Sequence, residues 1–166
     1  MKVPDTNVIK AKFAITGESI NIKYNKNIIL DDINFNLPSN KITGLIGKNG
    51  AGKTSLVKRI LSNDENIYIN ERVNIGYFSQ NLDVLDNNKT VLENVLKDSI
   101  QDEVTVKNIL ANLYIKGNDV FKNINNLSGG ERVKVAITKL LVGDYNLLIL
   151  DEPTNHLDIQ KIKLLE

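Results

Sequence analysis

The sequence has no cysteine among its 166 residues, which excludes a disulfide framework and any metal site built on cysteine ligands. Long apolar runs are also missing: the longest span about four or five residues, and the N-terminus carries no apolar signal-peptide core. We therefore expect neither a signal peptide nor a membrane span. The lack of cysteine is compatible with a reducing compartment, and we expect a cytoplasmic location.

Net charge is nearly absent, since 21 lysines and arginines face 20 aspartates and glutamates and leave +1. No global basic field therefore indicates nucleic acid or an anionic membrane as a partner, which weakens direct nucleic-acid binding without excluding it. What is present is ordinary for a soluble globular protein, with 42% hydrophobic and 25% charged residues over a length that suits one domain.

The most informative segment is glycine-rich and reads Gly47-Lys48-Asn49-Gly50-Ala51-Gly52-Lys53-Thr54. It follows an apolar run, Ile42 to Ile46, which is predicted to be a buried strand, and it leads into a helix pattern that extends to Leu61. Glycines let successive backbone N–H groups curl around an anion, and the helix N-terminus adds partial positive charge. Lys53 would reach the β- and γ-phosphates, and Thr54 would ligate Mg²⁺. The segment predicts a nucleoside triphosphate site, with a glycine-rich turn as the plainer alternative.

Alternating apolar residues between Phe13 and Leu37 predict a small antiparallel β region. Turn signals lie at Thr16-Gly17, at Asn25 to Asn27 and at Pro38 to Asn40. After the first helix the pattern predicts two short strands, Ile67 to Ile69 and Val73 to Phe78.

Residues 81–128 change to helices with polar joints, which predicts a helical subdomain. Thr90 to Glu93 has the spacing of a capping box. The strongest helix is predicted over Glu131 to Val142. Its apolar stripe comprises Val133, Ala136, Ile137, Leu140 and Leu141. Leu147 to Leu150 is a fully apolar run, as expected for a strand that is buried on both faces of a parallel sheet.

Asp151 and Glu152 come directly after that run, at the strand end where ligands bind in open α/β sheets. In a Walker B arrangement Asp151 would hold the Mg²⁺ shell and Glu152 would polarise the attacking water. A solvated acidic pair is the alternative. Ser128-Gly129-Gly130 opens the strongest helix, so a hydroxyl, two glycine amides and a helix N-terminus form a second anion-facing surface. An ordinary N-cap and turn is the alternative there.

Taken together and in this order, the motifs resemble the nucleotide-binding domain of the ATP-binding cassette (ABC) superfamily over nearly the whole chain. The set comprises Gly47 to Thr54, Gln80, Leu127 to Glu131, Leu147 to Glu152 and Pro153 to Asp158. The chain looks most like the ABC-F branch of translation-associated ATPases. The features that favour this branch are Glu131 where transporters more often carry glutamine, the run Glu152 to Asp158, and the short interval from Lys53 to Gln80. No arm-forming insertion is visible, so the chain looks more like a second cassette.

The resemblance implies roles for further residues. Tyr24 lies at the place of the adenine-stacking aromatic, with a core tyrosine as the alternative. Gln80 matches the loop glutamine that senses Mg²⁺ and the γ-phosphate, with a polar strand end as the alternative. Asp158 would lie at the dimer seam or cap the final helix. The resemblance implies Glu152 and Gln80 for catalysis, and Thr54, Gln80 and Asp151 for Mg²⁺. The residues implied for ATP are Tyr24, Gly47, Asn49, Gly50, Ala51, Gly52, Lys53, Thr54, Ser55, Ser128, Gly129 and Gly130. The last three would contact the ATP that is bound to the opposite cassette.

His156 is the only histidine, and we do not assign it the switch role, because the family's switch histidine lies on a later strand. The chain stops at Glu166 before that strand, so we expect a truncated cassette. The expected fold is α/β over residues 1–166, incomplete at the C-terminus. It has a P-loop NTPase (RecA-like) core at 42–80 and 131–166, an antiparallel β region at 13–37, a helical subdomain inserted at 81–128, and a helix beginning at Ile159.

The function implied by the resemblance is hydrolysis of Mg-ATP by a cassette paired with a second ABC cassette, with the ribosome and its rRNA as partner and antibiotic resistance as an extension. One alternative is the nucleotide-binding subunit of a membrane transporter, partnered by a transmembrane domain. Another is a fragment that binds nucleotide without hydrolysing it. A GTPase is disfavoured because Asn40 to Thr43 lacks the aspartate that reads guanine, and a DNA-repair ATPase because no heptad run is present.

Overall fold

A computed structural model describes residues 9–25, 27–62 and 64–152 of the chain. The chain divides into two compact units, Met1–Val73 and Asn74–Glu166. Three predictions lie outside the described residues: the placement of His156, the role of Asp158 and the helix beginning at Ile159. No helix in the described ranges is both long enough and apolar enough to cross a membrane.

A long β-hairpin builds the first unit. Strand β1 (Phe13–Tyr24) pairs antiparallel with β2 (Asn27–Pro38) on one side and with β3 (Ile67–Ile69) on the other. Ile15, Ile20 and Ile22 of β1 are buried, so these apolar side chains of the strand lie away from solvent. The predicted antiparallel β region is therefore confirmed, and it is longer than a small motif.

The turn predicted at Thr16-Gly17 is wrong, because both residues lie inside β1. Gly17 pairs with Phe35 of β2, and a Cβ on Gly17 would lie 2.3 Å from Cε1 of the Phe35 ring. Gly17 therefore allows an aromatic ring to pack closely against the strand. Glycine is common both in turns and at such close contacts, and the sequence pattern does not distinguish the two.

Helix α1 (Lys53–Leu61) buries Leu56, Val57 and Ile60, as its sequence pattern predicts. The buried strand predicted at Ile42 to Ile46 is wrong in the described structure: this run forms no strand, and Ile42 and Ile46 are 103% and 94% exposed. A strand requires a partner backbone, and the three strands described in this unit pair only with one another. An apolar run reports a preference for burial but does not supply its partner.

The second unit begins with β4 (Ile75–Phe78), which pairs in parallel with β5 (Leu147–Leu150), register Ile75 to Leu147. Both strands were predicted. The burial of β5 on both faces was not correct, because Leu148 and Leu150 are each 54% exposed. Leu140 reaches the pair at Gly76, where an added Cβ would meet its Cδ2 at 3.0 Å, so the helical layer covers one face.

Three helices complete the second unit: α2 (Val91–Leu96), α3 (Glu103–Asn112) and α4 (Gly129–Val142). The predicted capping box of α2 is present, since Glu93 N donates to Thr90 Oγ1 at 3.2 Å and Thr90 N donates to Glu93 Oε2 at 2.8 Å. Two short 3₁₀ turns, Gly117–Phe121 and Ile124–Asn126, connect α3 to α4. The helices pack around one apolar core that includes Phe78, Val91, Val95, Val106, Leu110, Ile124, Val133 and Val142.

The buried face of α4 differs from the predicted stripe. Leu141 is 39% exposed, whereas the charged Lys139 is 4% exposed. Burial of a charged side chain requires partners that neutralise and hydrogen-bond it. A sequence pattern predicts that a lysine of an amphipathic helix lies on the solvent face. It therefore misses the burial of Lys139, whose partners come from distant segments of the chain.

Candidate nucleotide-binding and catalytic site

The glycine-rich loop in the first unit has the backbone shape that its sequence predicts. Gly50 and Gly52 have φ values of 80° and 89°, in the left-handed region that favours glycine. The chain makes a tight turn over residues 48–51, in which Ala51 N donates to Lys48 O at 3.1 Å. Asn49 and Ala51 are exposed at this turn, while Thr54 and Ser55 lie half-buried in the first turn of α1.

Positive charge is concentrated where this loop meets α1. Lys53 Nζ donates to Gly47 O at 2.8 Å and to Lys48 O at 3.1 Å, so the ammonium lies over the loop backbone. No side chain caps the N-terminus of α1, and no acidic residue lies in its first turn. The helix dipole and the lysine therefore act in the same direction, and the loop suits an anion such as a phosphate group.

Tyr24 is the last residue of β1 and is 55% exposed. This exposure disfavours the alternative in which it is a core tyrosine, because a core ring would be withdrawn from water. An exposed ring is available to stack on a flat ligand, which is what the adenine-stacking prediction requires. Its role stays a prediction.

In the second unit the parallel register brings two loops to the same edge of the strand pair. Asp151 N donates to Phe78 O at 3.0 Å, which extends the β4–β5 ladder by one bond beyond Leu150. The residues after each strand therefore meet, and Gln80 Nε2 donates to Glu152 Oε2 at 3.0 Å. Two residues 72 positions apart in the sequence, each predicted to be catalytic, are thus in direct contact.

Asp151 is 7% exposed at this edge. The hydroxyl of Tyr77 donates to Asp151 Oδ2 at 3.4 Å. Burial, followed by the charge and the hydrogen bond of Asp151, raises the pKa of Tyr77 to about 12. The sequence analysis missed Tyr77; the available signal was its place on the predicted strand, three residues before Gln80, where the strand meets the Asp151 strand.

Glu152 has a φ of 50°, which is uncommon for a residue with a side chain. Backbone held in this region costs about 1–3 kcal/mol and concentrates at functional sites. The unusual conformation occurs at the turn where the Glu152 carboxylate meets Gln80.

Ser128 is the N-cap of α4 and is exposed, as are Gly129 and Gly130. It is held by a capping box that the sequence analysis did not identify: Glu131 N donates to Ser128 Oγ at 3.3 Å, and Ser128 N donates to Glu131 Oε2 at 2.8 Å. Ser128 Oγ also donates to Glu131 Oε2, at 2.6 Å. The two bonds that Ser128 donates to the carboxylate, first that of the hydroxyl and then that of the backbone amide, lower the pKa of the Glu131 carboxyl below its ordinary value. The Ser-x-x-Glu spacing was the signal for this box.

The donor set suits Mg²⁺, which prefers carboxylate, hydroxyl and amide oxygens. Asp151 and Gln80 supply such oxygens in the second unit, and Thr54 supplies one in the first. Phosphates fit the loop of the first unit on the grounds given above. Each unit therefore carries its own set of predicted ligand residues.

The sequence matches the ABC transporter family over residues 30–155. The chain belongs to this family. The match includes the glycine-rich loop, Gln80, the Ser128 motif and Asp151-Glu152, so these belong to an ABC cassette with a P-loop NTPase fold.

Curated relatives agree with the resemblance to the ABC-F branch. The cassette is 36% identical over 152 residues to the energy-dependent translational throttle protein EttA of Escherichia coli (strain K12), which covers 86% of the chain and 27% of EttA. With EttA of Haemophilus influenzae it shares 37% identity over 164 residues, which covers 92% of the chain and 29% of that protein. With the ATP-binding protein YdiF of Bacillus subtilis it shares 34% over 155 residues, 90% of the chain and 24% of YdiF. The chain thus spans only about a quarter of the length of these relatives.

Solved structures confirm the fold. A bacterial Atm1-family ABC exporter with ATP bound superposes with a TM-score of 0.78 at 20% identity, covering 98% of the cassette and 33% of the exporter chain. A dimeric ATP-binding cassette bound to ADP and phosphate gives a TM-score of 0.72 at 21% identity, covering 91% of this chain and 81% of that one.

Proposed function

We propose that the chain is an ATP-binding cassette of an ABC-F protein that binds Mg-ATP and, paired with a second cassette, hydrolyses it. The contact that supports this most directly is the hydrogen bond of 3.0 Å between Gln80 and Glu152, beside the buried Asp151. It places an amide and two carboxylates at one strand edge, which is the arrangement that in-line hydrolysis of a phosphoanhydride needs.

The site residues divide the proposed reaction among them, and Gln80 has two parts in it. Lys53 and the loop amides bind the β- and γ-phosphates, and Glu152 accepts a proton from the attacking water. Gln80 orients the Glu152 carboxylate through the bond that the structure describes. Bound Mg²⁺, held by Thr54, Gln80 and Asp151, would neutralise charge on the phosphate oxygens.

The second cassette enters through the Ser128 motif. Ser128, Gly129 and Gly130 are exposed at the N-terminus of a 14-residue helix, so the glycine amides can face a ligand that another cassette holds. The Ser128 hydroxyl and amide donate to Glu131, so Ser128 would have to exchange a bond to Glu131 for one to the ligand. We propose that they contact the γ-phosphate of ATP bound to that cassette. An isolated chain would then hydrolyse ATP weakly, since it holds only one side of each composite site.

The ribosome is the proposed partner of the full-length protein, in the cytoplasm. Support comes from the relatives named as translational throttle proteins, at 36–37% identity. In this proposal closure of two cassettes over ATP moves other parts of the polypeptide, and hydrolysis releases them. The absence of an arm-forming insertion favours the second cassette, and protection of the ribosome from antibiotics would be one use of the cycle.

Nucleotide binding is tested by calorimetry on Lys53→Ala, with Lys48→Ala as the matched control in the same loop. We expect Lys53→Ala to weaken the affinity for ATP at least about tenfold, because a charged hydrogen bond to phosphate is lost. Lys48→Ala should bind within about twofold of wild type, since the loop uses the Lys48 carbonyl rather than its side chain. Equal affinity of wild type and Lys53→Ala would refute the phosphate-binding assignment.

The ribosomal role is tested by cosedimentation of the full-length Glu152→Gln variant with purified ribosomes, with and without ATP. We expect ATP-dependent pelleting, since slowed hydrolysis prolongs the closed state. Lys53→Ala in the same background should abolish it. Failure to pellet with ribosomes, together with ATP-dependent recovery in membrane fractions, would favour the transporter alternative.

A further inference from the structure

Lys139 lies in the last turn of α4 and is 4% exposed, which makes it the one buried cation among the residues that the structure describes. Lysine at such a position loses the hydration of its ammonium group and needs strong partners. Lys139 is not one of the residues of the phosphate-facing motifs. Its partners indicate what it does.

The ammonium group of Lys139 joins three segments of the second unit. Nζ donates to Val84 O at 3.0 Å and lies 3.0 Å from Asp98 Oδ2. Val84 follows Gln80 along the chain, and Asp98 follows α2. The same end of α4 is held to residues just past Asp98, where Ile100 N donates to Val142 O at 2.9 Å.

Val84 belongs to what we term the Gln80 loop, residues 79–86. Two bonds fold its first half into a turn, as Leu82 N donates to Ser79 O at 3.1 Å and Asp83 N donates to Ser79 Oγ at 2.9 Å. Leu85 N then donates to Leu82 O at 3.0 Å. Local turns therefore connect Gln80 to Val84, so a restraint at Val84 is passed on to Gln80.

A second buried side chain fixes the far end of this loop. Asn94 of α2 is fully buried, accepts from Asp86 N at 2.7 Å and donates to Asp86 O at 3.0 Å. The loop is thus fastened at Asp86 to α2 and at Val84 to α4. Of these two attachments, only the one made by Lys139 reaches the helix that begins at Ser128.

Charge at a buried position is not explained by stability alone, because well-packed apolar residues often stabilise as much as a buried ion pair. We propose that Lys139 is a positioning residue that ties the Gln80 loop to α4, so that the placement of Gln80 follows the helix carrying Ser128, Gly129 and Gly130. The coupling between Gln80 and the Ser128 motif rests on the proposed function, whereas the attachment of the Gln80 loop to α4 does not. Through this coupling, the ATP that a cassette binds itself would be linked to the ATP of the opposite cassette, which its Ser128 motif contacts.

Hydrogen exchange tests the attachment in the full-length protein, on wild type, Lys139→Met, Lys139→Arg and Lys107→Met. Lys139→Met keeps the length of the side chain and removes its donors. We expect amide exchange in residues 81–86 to rise about tenfold, with α2 and α3 within about twofold of wild type, since one buried charged hydrogen bond is lost locally. Lys139→Arg should restore protection, and Lys107→Met, which removes an exposed ion pair to Glu103, should leave it unchanged.

Steady-state kinetics on the same variants test the coupling. We expect Lys139→Met to lower kcat about tenfold with a smaller change in KM for ATP, because Lys53 and the loop amides of the other unit hold the phosphates in the proposed function. Lys139→Arg should recover most of kcat. Unchanged exchange in residues 81–86, an even rise across α2, α3 and α4, or a loosened loop with unchanged kcat would each overturn the proposal. A wild-type protein that hydrolyses no ATP would instead refute the proposed function, and the exchange measurement would still decide the attachment.

Discussion

Alanine substitution at three glycines of the first unit separates two costs that the structure assigns to the phosphate-binding loop. Gly44 has an ordinary φ and open space around its Cβ position. Gly50 has a φ of +80° and open space, and Gly52 has a φ of +89° and a Cβ position 2.8 Å from Cγ2 of Ile29. The series therefore adds first backbone strain and then a steric clash with β2.

The expected losses of stability follow in order. Gly44→Ala should lie within about 0.5 kcal/mol of wild type, or stabilise slightly, because alanine restricts the unfolded chain. Gly50→Ala should cost about 1–2 kcal/mol for a left-handed alanine. Gly52→Ala should cost about 2–5 kcal/mol, since overpacking against Ile29 adds a further ~1–3 kcal/mol.

Urea unfolding of the chain, followed by far-ultraviolet circular dichroism, measures these differences. Fitting should give similar m-values for all three variants, so that shifts in midpoint report stability. Equal losses for Gly50→Ala and Gly52→Ala would refute the packing of the loop against β2. A large loss for Gly44→Ala would contradict the exposure of the run around it.

Two further predictions concern the second unit. Because the pKa of Glu131 is lowered, its capping box with Ser128 stabilises the fold above the ordinary carboxyl pKa, and this contribution is lost as the pH falls. Between about pH 5 and pH 3, the urea midpoint of the wild type should therefore fall more than that of Glu131→Gln. Parallel curves would contradict the box. Asn94→Ala should cost about 2–4 kcal/mol in urea unfolding, because the buried Asn94 side chain makes three hydrogen bonds, two of them to Asp86. Substitution of the exposed Asn87 by alanine should be nearly neutral, and similar costs for the two variants would argue against the attachment of Asp86 to α2.

Local chemistry made much of this fold predictable. A capping box depends on residues three apart, so Thr90 to Glu93 predicted the start of α2 correctly. The glycine pattern from Gly47 to Thr54 and the helix after it depend on local backbone shape, and both are present. The alternation from Phe13 to Leu37 likewise gave the antiparallel hairpin.

The errors fall where the deciding partner is distant in sequence. Ile42 to Ile46 has the composition of a buried strand, but no local feature says which backbone would pair with it. Lys139 reads as a solvent-facing lysine, and its burial depends on Val84 and Asp98, 55 and 41 positions away. Thr16-Gly17 has turn composition, yet the ring of Phe35 across the hairpin uses the glycine.

For the candidate site, the sequence identified the motifs but not their contacts. Glu152 was predicted as catalytic from its place at a strand end and Gln80 from the resemblance, and their hydrogen bond follows only from the parallel register of β4 and β5. Tyr77 was missed because its tie to Asp151 crosses that same strand pair.

The rate of ATP hydrolysis by the full-length Glu152→Gln variant tests the central claim most directly. The amide can still accept the bond from Gln80 Nε2, so the fold should be kept while the general base is lost. With Glu103→Gln as a control on an exposed carboxylate, we predict a fall in kcat of about 10²–10⁴ for Glu152→Gln with ATP still bound, and no change for the control. Wild-type turnover in Glu152→Gln would contradict the account.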